Sequence, residues 1–122
     1  MSRVIHFDLS ADDPERAAEF YQNVFDWRVN KWEGPGNYWL IQTGTEDNPG
    51  VTGGVAARIE AQDTTAVVFD VDSVDEAARK VEQAGGHIRE EKRPIAGVGY
   101  LVMCRDTEGN TFGVMELDET VK

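Results

Sequence analysis

The chain has 122 residues, 40% of them hydrophobic and 29% charged, a composition that supports one globular domain with its own core and excludes a multidomain machine. No stretch reaches the roughly 20 uninterrupted apolar residues of a spanning helix, and Met1-Ser2-Arg3-Val4-Ile5-His6 lacks a signal peptide's apolar run, so no membrane partner and a cytoplasmic location are expected. Twenty-three acidic against twelve basic residues leave a net charge of −11, which repels a phosphate backbone and argues against nucleic acid as a partner.

From Arg3 to Leu9, Ile5, Phe7 and Leu9 alternate with Val4, His6 and Asp8, the pattern of a half-buried strand. Ser10-Ala11-Asp12-Asp13-Pro14 predicts a helix start capped by Asp13, and the helix should run to about Phe25 with Ala17, Phe20, Tyr21, Val24 and Phe25 as its apolar stripe. Trp27 to Glu33 and Asn37 to Thr43 read as strands of a hairpin around Gly34-Pro35-Gly36, and Thr52 to Ile59 as a fourth strand loosened by two glycines. The order then repeats. Val67, Phe69 and Val71 alternate along a strand, Ser73-Val74-Asp75-Glu76 forms a capping box, Gly85-Gly86 ends the second helix, and strands are expected over His87 to Ile95, Val98 to Arg105 and Asn110 to Leu117.

Two modules, about 1–60 and about 64–118, superpose at an offset near 60: Phe7-Asp8 on Phe69-Asp70, Ala17-Ala18 on Ala77-Ala78, Tyr38 on Tyr100, and Gly54-Val55 on Gly113-Val114. A βαβββ duplication accounts for all four matches. The expected fold is α+β, two tandem βαβββ modules whose curved sheets pair and enclose a cleft within a single domain over 1–122.

The chain resembles the vicinal oxygen chelate superfamily of glyoxalases, bleomycin-resistance proteins and extradiol dioxygenases. The carriers are His6-Phe7-Asp8, the run from Ala17 to Trp27, Phe69-Asp70-Val71-Asp72, and Arg105 to Val114. The resemblance implies a small-molecule cleft, a homodimer, and a metal site with one residue from the first and fourth strand of each module. Mapped strand by strand, those positions fall on His6, Ala57, Val68 and Glu116. His6 and Glu116 can coordinate, and strand parity is expected to send both away from the helix-packed faces. An imidazole and a carboxylate suit Zn, Fe, Ni or Mn, but a catalytic ion normally takes three protein ligands, and the third is missing unless a register shift brings Glu60 closer or Asp8 or Asp70 reaches inward. Without metal, the same pair can serve as acid and base on a ligand.

Tyr38, Val68, Tyr100 and Phe112 are the expected pocket lining. His87 reads as an exposed turn residue and Cys104 as a small buried hydrophobe. The reading that follows is a small-molecule-binding protein without a complete metal site. Its alternatives are a divalent-metal-dependent lyase, isomerase or dioxygenase, and a regulatory or interaction module whose cleft is filled.

Overall fold

A computed structural model describes residues 1–122. The chain forms an α+β fold of two βαβββ modules and divides into two compact units, residues 6–65 and residues 1–5 with 66–122. In the first module, β1 (Val4–Ala11), α1 (Pro14–Phe25), β2 (Arg28–Lys31), β3 (Tyr38–Gly44) and β4 (Pro49–Ala57) follow in sequence. Its strands lie in the order β2-β3-β4-β1, with β1 parallel to β4 and the other neighbours antiparallel.

Helix α1 begins where its chemistry dictates. Asp13 accepts a hydrogen bond from Arg16 N at 3.1 Å, and Pro14 fills the first turn, where no N–H is needed. It ends at Asp26, in the left-handed region at φ 57°, whose N–H bonds Gln22 O at 2.9 Å. The helix covers a core of Ala11, Ile41 and Val55, with Phe7, Leu9, Ala17, Trp27, Val29 and Trp39 packed around it. Phe7, Leu9 and Ala11 therefore face α1, and the pleat sends His6, Asp8 and Ser10 to the opposite face.

The second module holds β5 (Thr65–Asp70), α2 (Val74–Gln83), β6 (His87–Ile95), β7 (Gly99–Arg105) and β8 (Thr111–Leu117), with strand order β5-β8-β7-β6. Ser73 caps α2 through Glu76 N at 3.2 Å. Both faces of this sheet are buried. Val74, Val102, Cys104 and Val114 form the core under α2, and Ala66, Val68, Leu101, Met103 and Met115 form a second core on the other face. The turn between β7 and β8 is held by Asp106, whose carboxylate accepts from Glu108 N, Asn110 N and Asn110 Nδ2. The Asn110 bonds, chiefly that of its side chain, hold the Asp106 carboxyl below its ordinary range.

The largest departures from expectation lie in β1 and β4. β1 continues through Ser10 and Ala11, where a helix start was expected, because Ser10 N still finds an acceptor in Thr64 O at 2.7 Å. β4 starts at Pro49 rather than Thr52 and ends at Ala57. Its glycines do not loosen it but let neighbours approach: a Cβ on Gly53 would enter the Phe7 ring, and one on Gly54 the Tyr38 phenol.

Cys104 is fully buried, and burial, helped by the Glu82 charge, pushes its thiol up to about 11. The native thiol should therefore stay unreacted with a disulfide reagent under mildly alkaline conditions and titrate fully once the chain is unfolded in guanidinium. Equal rates in the two states would contradict the packing described here.

Candidate functional site

A polar tetrad occupies the α1-opposed face of the first module's sheet. Strand pairing sets His6 beside Thr52, Asp8 beside Gly54, and Tyr38 beside Ala56, so all of these positions share one face. His6 Nδ1 lies 3.0 Å from Thr52 Oγ1, and His6 Nε2 lies 2.9 Å from the Tyr38 hydroxyl oxygen. Tyr38 donates its hydroxyl hydrogen to Asp8 Oδ1 at 2.5 Å, and His6 Nε2 sits 3.3 Å from that same oxygen. The side chains of His6 and Asp8 are 23% and 24% exposed, so the group is shielded but reachable.

One direction is fixed. Because Tyr38 gives its hydrogen to Asp8, its oxygen accepts from His6 Nε2–H. The bond between His6 Nδ1 and the Thr52 hydroxyl takes its direction from the protonation state of the imidazole. Thr52, His6, Tyr38 and Asp8 thus form one hydrogen-bonded group with a carboxylate at one end.

His6 and Tyr38 stand together, on the opposite face from Trp39, which packs against α1 with Lys31 Nζ 5.5 Å from its ring. Asp8, expected only as a residue that could reach inward, and Thr52, which was not expected, complete the group. Asp8 was signalled by its two-residue spacing from His6. Thr52 was hidden because the pairing of a glycine-rich strand cannot be read from its own residues.

Glu116 points the other way from expectation. Phe112 and Val114 pack in the α2-side cluster, and the Glu116 carboxylate accepts from Val74 N, at the start of α2, at 3.1 Å. Tyr100, paired with Glu116, belongs to the same face, with Lys92 Nζ 4.6 Å from its ring centre. The expected parity fails because β8 is apolar on both sides, so alternation alone cannot say which side meets the helix. Ala57 likewise shares the parity of Val55 on the α1 face. Val68 does face away from α2, but at 1% exposure it fills the core of Leu101, Met103 and Met115 rather than a pocket wall.

Its position gives Glu116 a concrete job, accepting an otherwise unpartnered helix N–H and placing negative charge at the positive end of α2. Glu116→Ala should cost about 1–2 kcal/mol of stability in urea unfolding, and Glu116→Gln clearly less, because the amide oxygen keeps the acceptor.

The donors do not fit a divalent metal. No three His, Cys, Asp or Glu side chains gather anywhere in the structure. With the fourth strands set one residue over from the expected register, the positions facing away from the helices are Thr52, Gly54 and Ala56 on β4 and Gly113 and Met115 on β8, none of them an imidazole or carboxylate. Both His6 nitrogens are already engaged within the tetrad.

The family model described as the Glyoxalase/Bleomycin resistance protein/Dioxygenase superfamily matches residues 3–114. No curated protein matches the chain. Among solved structures, methylmalonyl-CoA epimerase from Mycobacterium tuberculosis is similar at TM-score 0.68 and 13% identity, over 94% of this chain and 87% of that one. A Streptomyces coelicolor methylmalonyl-CoA epimerase variant in complex with 2-nitronate-propionyl-CoA gives TM-score 0.65 and 15% identity, over 92% and 94%. An NAD-dependent benzaldehyde dehydrogenase from Legionella pneumophila gives 0.62 and 19%, over 93% and 98%. At these identities the structural likeness carries the fold alone. Together with the match along nearly its whole length, the duplicated βαβββ architecture shows that the chain belongs to the Glyoxalase/Bleomycin resistance protein/Dioxygenase superfamily.

Proposed function

We propose that the chain binds a small organic molecule on the α1-opposed face of the first module's sheet, with Asp8, His6, Tyr38 and Thr52 making the polar contacts. The observation that carries this reading is the tetrad itself: four hydrogen-bonded polar side chains, His6 and Asp8 among them about three-quarters shielded, on a face where Gly54 leaves room for the Tyr38 phenol. Ordering such side chains costs rotamer entropy, and the bonds that lock them also fix the geometry a ligand meets.

A proton-transfer enzyme is the second reading. It is favoured by the Tyr38 hydroxyl oxygen held 2.5 Å from Asp8 Oδ1, beside an imidazole that can take or give a proton. A metal-dependent lyase, isomerase or dioxygenase finds no support in the donor set. A homodimer belongs to the same proposal, and sedimentation should return twice the 13.6 kDa of one chain.

A thermal-shift screen of small aromatic and polar compounds against the wild-type chain and Tyr38→Phe tests the site. Compounds that raise the wild-type Tm should lose most of that effect in the variant. A screen without hits, or hits indifferent to Tyr38→Phe and His6→Ala alike, would sink the reading and favour a module whose cleft is filled.

A further inference from the structure

Strand pairing lays out the α1-opposed face of the first module's sheet in rows. Arg28 stands opposite Gln42, Gln42 opposite Thr52, and Thr52 opposite His6, so four polar side chains cross β2, β3, β4 and β1 at one level. In the next row Asn30, Leu40, Gly54 and Asp8 follow in the same strand order. Val29 and Ile41, each one residue from this row, pack in the core under α1, so Arg28 and Gln42 belong to the other side, with the tetrad.

The face carries two formal charges, Asp8 on β1 and Arg28 on the edge strand β2. Asp8 is committed to Tyr38, with His6 Nε2 3.3 Å from the same oxygen. Arg28 is exposed and its guanidinium is committed to nothing. Each of the other cations in residues 6–65 has its own partners: Arg58 holds Asp12 and the Asp63 carbonyl, Arg16 lies 4.0 Å from Asp13, and Lys31 reaches Asn37 and the Trp39 ring on the α1 face. Beside Arg28, the exposed Gln42 brings an amide donor. A single guanidinium fork next to an amide matches a planar, singly charged carboxylate.

Asp8 sets the direction. It repels a carboxylate from the tetrad while Arg28 attracts one, so an acid lies one way only, its uncharged end toward His6 and Tyr38. The ends of the row are three strand spacings, about 14 Å, apart at the backbone, and the long arginine side chain shortens that to the span of a small molecule. Leu40, 36% exposed, offers apolar contact between them. The net charge of −11 opposes an acid at long range, but salt screens that field beyond about 10 Å, and contact with Arg28 is short-range.

We infer that the site selects small organic monocarboxylic acids, the carboxylate seated on Arg28 and Gln42 and the body over Leu40 toward the tetrad. This rests on the proposed binding site and names its ligand class.

The test uses the whole chain and three probes that share a ring and differ in one terminal group: 4-hydroxyphenylacetate, its neutral amide 4-hydroxyphenylacetamide, and the cation tyramine. Titrations are followed by nuclear magnetic resonance with the Arg28 Nε–H, His6 and Tyr38 signals assigned. The acid should shift all three, the amide should bind about tenfold more weakly for want of a charge-assisted bond, and tyramine should bind no better than the amide. Added salt should weaken the acid alone. Arg28→Gln keeps a hydrogen-bond donor at an exposed position and should bring the acid down to the affinity of the amide, with the amide itself and the urea midpoint unchanged. Acid and amide binding equally to the wild type, tyramine binding most tightly, or a preference for the acid that survives Arg28→Gln would each overturn the acid class and leave the site standing, provided the His6 and Tyr38 signals move. Shifts confined to residues elsewhere would overturn both. Absence of any binding would overturn the acid class, with the broader screen deciding the site.

Discussion

Gly99→Ala should cost about 3 kcal/mol or more of folding stability, against about 1 kcal/mol for Gly97→Ala two residues earlier. Both glycines have positive φ, 152° at Gly99 and 74° at Gly97. What separates them is space. A Cβ on Gly97 meets nothing within 4 Å, whereas one on Gly99 would enter the Glu116 carbonyl and lie 3.0 Å from Asp118 N. Those obstacles are backbone, so no rotamer change relieves them, and β8 itself must shift at the point where Gly99 pairs with Leu117. A shift there also draws the Glu116 carboxylate off Val74 N, so α2 loses part of its N-terminal support. Urea unfolding of the two variants checks the prediction. Equal midpoints would mean that the left-handed backbone alone, and not the collision with β8, makes glycine necessary at 99.

The elements were largely readable from local chemistry because their signals are local. Asp13-Pro14 and Ser73 with Glu76 mark helix starts through bonds spanning three residues, and both caps form. The faces of strands were readable only where one side is polar. β1 alternates His6 and Asp8 against Phe7 and Leu9, and its orientation follows; β8 sets Phe112 and Val114 against Gly113 and Met115, two apolar sets, and its orientation does not. The same ambiguity misaligned the aromatic pair used to superpose the modules. Tyr38 lies on the face away from α1 and Tyr100 on the face toward α2, although Phe7 with Phe69 and Val55 with Val114 do correspond. His6 could be named because it sits on a strand with a clear polar face, and Tyr38 only as the one of the Tyr38–Trp39 pair on the side away from Trp39. Thr52 could not, since its contact with His6 depends on a parallel pairing 46 residues away in the chain.

Adjacent glycines on β4 give the sharpest test of the site, with Gly54→Ala expected to abolish ligand response while the chain stays folded. The Cβ would occupy the position of the Tyr38 phenol, and Tyr38 is the link between His6 Nε2 and Asp8 Oδ1. Because the obstacle is the far end of a side chain on a partly open face, Tyr38 can swing aside at a cost of about 1 kcal/mol or less, losing both bonds as it does so. The stability penalty is therefore small and the functional penalty large. Gly53→Ala should reverse that ranking. Its Cβ points to the α1 face and into the Phe7 ring, which packs against Trp27 at 6.1 Å between centroids in the core, so repacking there costs about 1–3 kcal/mol. Its effect on the tetrad is indirect, since Asp8, His6 and Tyr38 lie on the far side of the sheet. Urea midpoints measure the first quantity, and the His6 imidazole signals together with the rise in Tm given by compounds from the thermal-shift screen measure the second. If Gly54→Ala keeps its ligand response, or if Gly53→Ala loses it at full stability, the site does not lie on the face assigned to it, and the Tyr38 bridge is not what prepares Asp8 for a ligand.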